Sequence, residues 1–316
     1  MKKVVKDGCY YIENAVYGSA EYEGLRRLWA EVFGDPEAYA DAIYENFGEE
    51  IRGYAVTDED GRVCSSLSCY LCGSFEGKPV YASYAVCTAE DCRGLGLAGI
   101  LTEYVRDEVI SRGGISVVSP AEASLVSYYE KLGYEPFFFA SECSSLSPLF
   151  DMDDYDDFDD YDIDFGEEGD FEALMPDLDI EPLTADTYNR YREAYLSGRP
   201  HIELSDAMLR LVEAESMDGG GLYSINRGDA VCAVSEVSPA AVTVTELISN
   251  PVLLEISEEI EGEIAAMIAK HFGAAETIYR TPGYGRCQSM AAGIDKMDEE
   301  DQGYYFREAY FGFPVD

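Results

Sequence analysis

The sequence predicts an α+β protein, α/β sandwich-like, in which a mixed, mainly antiparallel central sheet is flanked by helices and the plan occurs twice along the chain. Three observations predict it. The runs "IRGYAVT", "VCSSLSCYLCG" and "VYASYAVCT" follow one another across short turns, as an antiparallel meander does. Helical and strand patterns come in the order α-α-β-β-β-α-β-α. A dense acidic stretch then separates this half from a second half that repeats the order loosely.

The first helix spans Ala20 to Phe33, where Leu25, Leu28, Trp29, Val32 and Phe33 fall on one face and predict its buried side. "GDPEAYADAIYENF" restarts a second helix. The meander turns are Asp58-Glu59-Asp60-Gly61 and Phe75-Glu76-Gly77-Lys78. After a glycine-rich stretch, Leu97, Ile100, Leu101, Tyr104, Val105 and Val109 trace another helix face, closed by Gly113-Gly114. The strand "ISVVS" and a helix containing "SLVSYYEKLG" complete this half.

Residues 151–179 carry fifteen acidic side chains and no basic one, a composition that resists burial and reads as a solvated linker. The expected division is therefore a domain at 1–150, an acidic linker at 151–180 and a second domain at 181–316. Beyond the linker come helices at "TADTYNRYREAYL" and "LSDAMLRLVEAES", then strands "GLYSIN", "AVCAVSEV" and "AVTVTELI". A long helix, "LLEISEEIEGEIAAMIAKHFG", and the strand "ETIYRT" follow.

A formal net charge of -41 excludes a basic nucleic-acid-binding surface and favours a cationic substrate or partner. No run approaches the ~18 to 20 apolar residues of a membrane span, and the lysines near the start precede no apolar h-region, so a cytoplasmic protein is expected. Nine scattered cysteines read as reduced thiols. Cys69 and Cys72 form a C-x-x-C without a second pair or a nearby histidine, which suits buried strand thiols rather than a metal site.

"CRGLGLAG" contains G-x-G-x-x-G in Gly94, Gly96 and Gly99. A dinucleotide turn follows the first strand of a βαβ unit directly, and an acid ends the next strand. Here three strands precede the glycines, "TAEDC" intervenes, and the next strand ends in Ser119-Pro120. The stretch instead resembles the phosphate loop of the GNAT superfamily of acyl-CoA N-acyltransferases, R/Q-x-x-G-x-G/A, in Arg93, Gly94, Leu95, Gly96, Leu97 and Ala98. The superfamily's second motif, Y-e-k-l-G-F, is matched by "YYEKLGY" at Tyr128 to Tyr134.

The resemblance implies a GNAT domain binding acetyl-CoA as co-substrate, with no metal, followed by a degenerate GNAT-like domain without the loop. Small residues let backbone N–H groups reach a pyrophosphate at a helix N-terminus, and Arg93 adds a charge-assisted contact. It further implies that the strand before the loop splays from its neighbour and offers backbone groups around Val86 and Thr88 to the pantetheine and the thioester carbonyl. Tyr129 matches the motif tyrosine able to protonate the leaving thiolate, whereas Tyr104, Tyr128 and Tyr134 read as packing residues. The expected acceptor is an amine, of a small molecule or a protein.

The general base stays open between a water relay, the free amine and a terminal carboxylate. The last option rests on similarity to a tandem subgroup, the enhanced-intracellular-survival acetyltransferases, and would make Asp316 catalytic. A non-catalytic acyl-CoA-binding protein is the alternative reading.

Overall fold

The computed structural model describes residues 2–6, 8–148, 179–216, 220–255, 259–283, 285–294 and 309–313. The acidic linker lies outside the described residues as far as residue 178. Two compact units are present. Unit 1 takes Met1–Phe139, Arg199–Leu211 and Arg286–Asp316; unit 2 takes Ala140–Gly198 and Val212–Gly285. Unit 1 thus includes two stretches of chain from beyond the acidic segment.

Unit 1 begins with the hairpin β1 (Lys2–Lys6) and β2 (Gly8–Ala15), which sequence patterning did not single out. β2 continues onto β3 (Ile51–Thr57), β4 (Val63–Phe75) and β5 (Lys78–Thr88), all antiparallel, so the expected meander is present. Between β2 and β3 lie α1 (Ala20–Phe33) and α2 (Glu37–Phe47). The Ser19 hydroxyl accepts from the Tyr22 N–H to start α1, and Gly34 at φ +82° ends it. Leu25, Leu28 and Trp29 are buried as their spacing predicts, but Phe33 is 50% exposed. It occupies the last helical position, where the chain turns away at Gly34.

Strand alternation sorts the helices onto opposite faces. Tyr54, the partner of Leu67, donates to Glu108 of α3 (Leu97–Ser111) at 2.9 Å, whereas neighbouring Ser68 pairs with the Tyr44 hydroxyl of α2 at 2.9 Å. The α3 crossover delivers β6 (Ile115–Val118) parallel to β5, a connection that takes about a dozen residues or more. α4 (Val126–Lys131) and β7 (Glu135–Leu146) follow, β7 belonging to unit 1 as far as Phe139.

The strand between β6 and β7 comes from far along the chain. It is β14 (Arg286–Ala292), antiparallel to β6 through Met290↔Val118 and Ala292↔Ser116. Residues 309–313 also join this unit, because the Phe139 N–H donates to the Ala309 carbonyl at 2.9 Å and Tyr310 and Phe311 are buried. The edge of β4 beyond Tyr70 receives β9 (Glu203–Leu204) at Gly73 and Ser74.

In unit 2, β8 (Ile180–Pro182), β10 (Gly221–Ile225), β11 (Ala230–Val237) and β12 (Ala241–Ser249) are antiparallel, and β12 pairs in parallel with β13 (Glu276–Pro282). From α5 (Ala185–Tyr195) and α6 (Asp206–Ser216) to β13 the chain repeats the helix-helix-meander-helix-strand order. The single helix expected from Leu253 to Gly273 is two, α7 (Pro251–Leu254) and α8 (Ile260–Phe272). α8 buries Ile264, Ala265, Ile268 and Ala269, whereas Val252 and Leu254 are exposed, so their hydrophobicity does not extend the packed stripe.

Candidate active site

The site is built where β5 leaves β6. Their parallel register runs from Val80↔Ile115 to Ser83↔Val118 and stops there, although β5 continues to Thr88. Among the described residues, Tyr84–Thr88 therefore face no strand on the β6 side. On the other side, Ser68 pairs with Tyr84 and Ser66 with Cys87, so Ala85 and Val86 together oppose Leu67 alone. This is a β-bulge, and it turns the strand and re-aims its backbone groups. Ala85 takes φ +51°, a left-handed conformation costly for a side-chain-bearing residue and sustained only where its surroundings enforce it. Val86 is half-buried, and Thr88 is held by its hydroxyl to Ser65 at 3.0 Å.

The turn Glu90–Cys92 leads from β5 to the glycines. Arg62 grips its Asp91 with both guanidinium arms, at 2.5 and 2.7 Å, and holds that carboxyl down at about 2. Arg93 and Gly94 then stand exposed, Gly94 at φ +80° with open space where a Cβ would be. Gly96 is the N-cap of α3 at φ +71° and supplies no side chain to cap it. The first N–H groups of α3 are thus left without a capping side chain beneath an open loop, the arrangement that receives a phosphate. Leu97 is buried, Leu95 and Ala98 half-buried, so these three can offer backbone N–H groups rather than side-chain chemistry.

Tyr129 lies in a buried cluster with Val118, Tyr134, Met290 and Ala292. Val118 is the last residue of β6 paired with β5, which places Tyr129 beside the point where the strands part. Burial first, then neighbouring Tyr128, pushes its phenol up to about 12, so it remains a proton donor at neutral pH. Tyr134, expected as packing, is buried with its hydroxyl on Ser116 at 2.9 Å. Tyr128 packs against the same cluster and sets its hydroxyl against Gly99 in the first turn of α3.

Asp316 lies outside the described residues, so its expected role has no geometry here. Cys69 and Cys72 are both buried, their thiols pushed up chiefly by desolvation, Cys69 to about 12. No cluster of metal-ligating side chains occurs among the described residues. No helix among them is long and apolar enough to cross a membrane.

Three features were not singled out from sequence. Ala85 carries no signal of left-handed backbone, and Tyr84 was read only as a strand residue. "RCQSMAA" lacks clean alternation, yet as β14 it packs Met290 and Ala292 against Tyr129.

A family model described as an acetyltransferase (GNAT) domain matches residues 16–137. No curated protein matches the chain by sequence. Among solved structures, one similar to this chain is a conserved protein of Enterococcus faecalis described as a probable N-acyltransferase, with TM-score 0.61, 13% identity, and coverage of 89% of this chain and 72% of that one. A GCN5-related N-acetyltransferase from Anabaena variabilis gives TM-score 0.59 at 15% identity, over 90% of this chain and 73% of that chain. Eis1 from Mycobacterium abscessus gives 0.52 at 12% identity, over 85% and 65%. At such identities the likeness is one of fold, and it extends over both units.

Proposed function

Since a GNAT acetyltransferase family model matches residues 16–137, we propose that this chain transfers an acetyl group from acetyl-CoA to a primary amine by direct attack. The observation that carries the reading is the parting of β5 from β6, followed along the chain by an uncapped glycine loop. Backbone N–H groups from Gly94 to Ala98, with Arg93, hold the pyrophosphate. The free edge of β5 at Val86 to Thr88 takes the pantetheine and steadies the developing oxyanion with strand N–H groups.

The amine nitrogen bonds to the carbonyl carbon, the carbon–sulfur bond breaks, and Tyr129 gives its proton to the departing thiolate. The proton lost by the amine passes to water or to a base. A net charge of -41 supports a cationic acceptor, a small molecule or a lysine-type amine.

Gly96→Val tests the loop, because a β-branched side chain meets both the left-handed backbone and the phosphate's place. A folded variant is expected to lose acetyl-CoA binding in calorimetry; unchanged binding would overturn the loop assignment. Turnover against a panel of amines separates the transferase from a protein that binds acyl-CoA without reacting.

A further inference from the structure

Coenzyme and acceptor must meet at β5 from different sides, and the faces of unit 1 divide accordingly. The glycine loop opens α3, and α3 covers the face that carries Tyr54. The opposite face, under α1 and α2, carries an aromatic cluster centred on Tyr84, the last regular rung before the Ala85 bulge.

The Tyr84 ring stands 5.1 Å from Trp29 and 5.9 Å from Tyr70, both edge-on, and its hydroxyl is 3.4 Å from that of Tyr39. Trp29 and Tyr70 are buried, while Tyr39 and Tyr84 are half-buried. The inner pair is buried beneath the outer pair, which is partly open to solvent, and Tyr84 stands one residue from the bulge. Asp35 accepts the Trp29 indole N–H at 2.9 Å, which fixes the ring at the base of the cluster.

Resting on the acetyl-transfer reading, we infer that Tyr39 and Tyr84 are the wall that receives the acceptor, and that the acceptor is a primary amine joined by a short chain to an aromatic ring. Edge-to-face packing against two phenols selects a flat ring over a polyamine or a simple alkyl chain, and the short chain carries the nitrogen to the bulge. Attack from this face leaves the α3 face to the coenzyme.

Trp29 is the only tryptophan and touches both wall tyrosines, so its emission reports occupancy without any turnover. The full chain is titrated with 2-phenylethylamine, hexylamine and spermidine, and each amine is assayed with acetyl-CoA. 2-Phenylethylamine is expected to shift Trp29 emission saturably and to show a KM about tenfold or more below the other two. Tyr84→Ala is expected to raise that KM about tenfold with the acetyl-CoA KM unchanged, and Tyr84→Phe to keep it.

Tyr39→Ala, on the partly exposed α2 surface, repeats the test should Tyr84→Ala fail to fold. A preference for spermidine or hexylamine, or a KM indifferent to both alanine variants, would overturn the inference. A Trp29 response to 2-phenylethylamine with no acetylation of any amine would sustain the wall and refute the transfer reaction.

Discussion

The Tyr128 hydroxyl lies 3.2 Å from the point that a Cβ on Gly99 would occupy. This contact couples α4 to the first turn of α3 and explains the third glycine of the loop motif by packing rather than by ligand contact. Gly99→Ala asks the end of one side chain to shift slightly, and a small loss of thermal stability is expected. Gly99→Val crowds Tyr128 and Leu132 together, and a larger drop in Tm with weaker acetyl-CoA binding should follow. Gly94→Ala has free space, but its positive φ carries a cost of about 1–2 kcal/mol, measurable by urea unfolding.

Tyr129→Phe keeps the ring that packs on Val118 and Met290 and removes only the proton. Its kcat is expected to fall about 100-fold, within the usual range for losing a general acid, with acetyl-CoA affinity nearly intact. Because the phenol is held up at about 12, the wild-type rate should show no alkaline loss attributable to Tyr129 between pH 7 and 10. A normal rate in Tyr129→Phe would make this a packing residue.

One acetyl-CoA per chain is expected in calorimetry. In unit 2 the parallel pairing ends at Val244↔Tyr279, as it ends at Ser83 in unit 1, but β12 beyond that point carries a buried charge. Glu246, fully buried, accepts from Tyr188 at 2.5 Å and from the buried Arg192 guanidinium at 3.1 Å. The helix that follows is capped by the Asn250 side chain on the Val252 N–H and begins with Pro251, which has no N–H. The first donors of this short helix are answered or missing where those of α3 are open, and the stretch "TELISNPVLLEI" around it holds no glycine loop. Two equivalent sites would refute this account.

A fragment of residues 1–150 is expected to lack a cooperative thermal transition. It omits β14, whose Met290 and Ala292 cover the Tyr129 cluster, and it bares the β4 edge at Gly73 that β9 pairs. Hydrophobic surface and strand edges left open favour aggregation over folding. A soluble fragment that melts cooperatively and binds acetyl-CoA would show that the late segments are dispensable.

Local physics determined much of this protein from sequence alone. Apolar spacing marked α1 from Ala20 to Phe33, Asp58 to Gly61 and Phe75 to Lys78 marked the turns, and Gly94 and Gly96 marked a loop of small residues before α3. Each depends on interactions within a few residues, so each is written in the local pattern.

Tertiary structure alone decided that β14 lies beside β6, that β9 completes β4, and that β5 bulges at Ala85. Strand pairing is made by backbone groups common to every residue, so no side-chain code identifies Met290 as the partner of Val118. An alanine adopts φ +51° only because the pairings with β4 before and after it, Ser68↔Tyr84 and Ser66↔Cys87, compel it, and that compulsion exists only once the sheet is assembled.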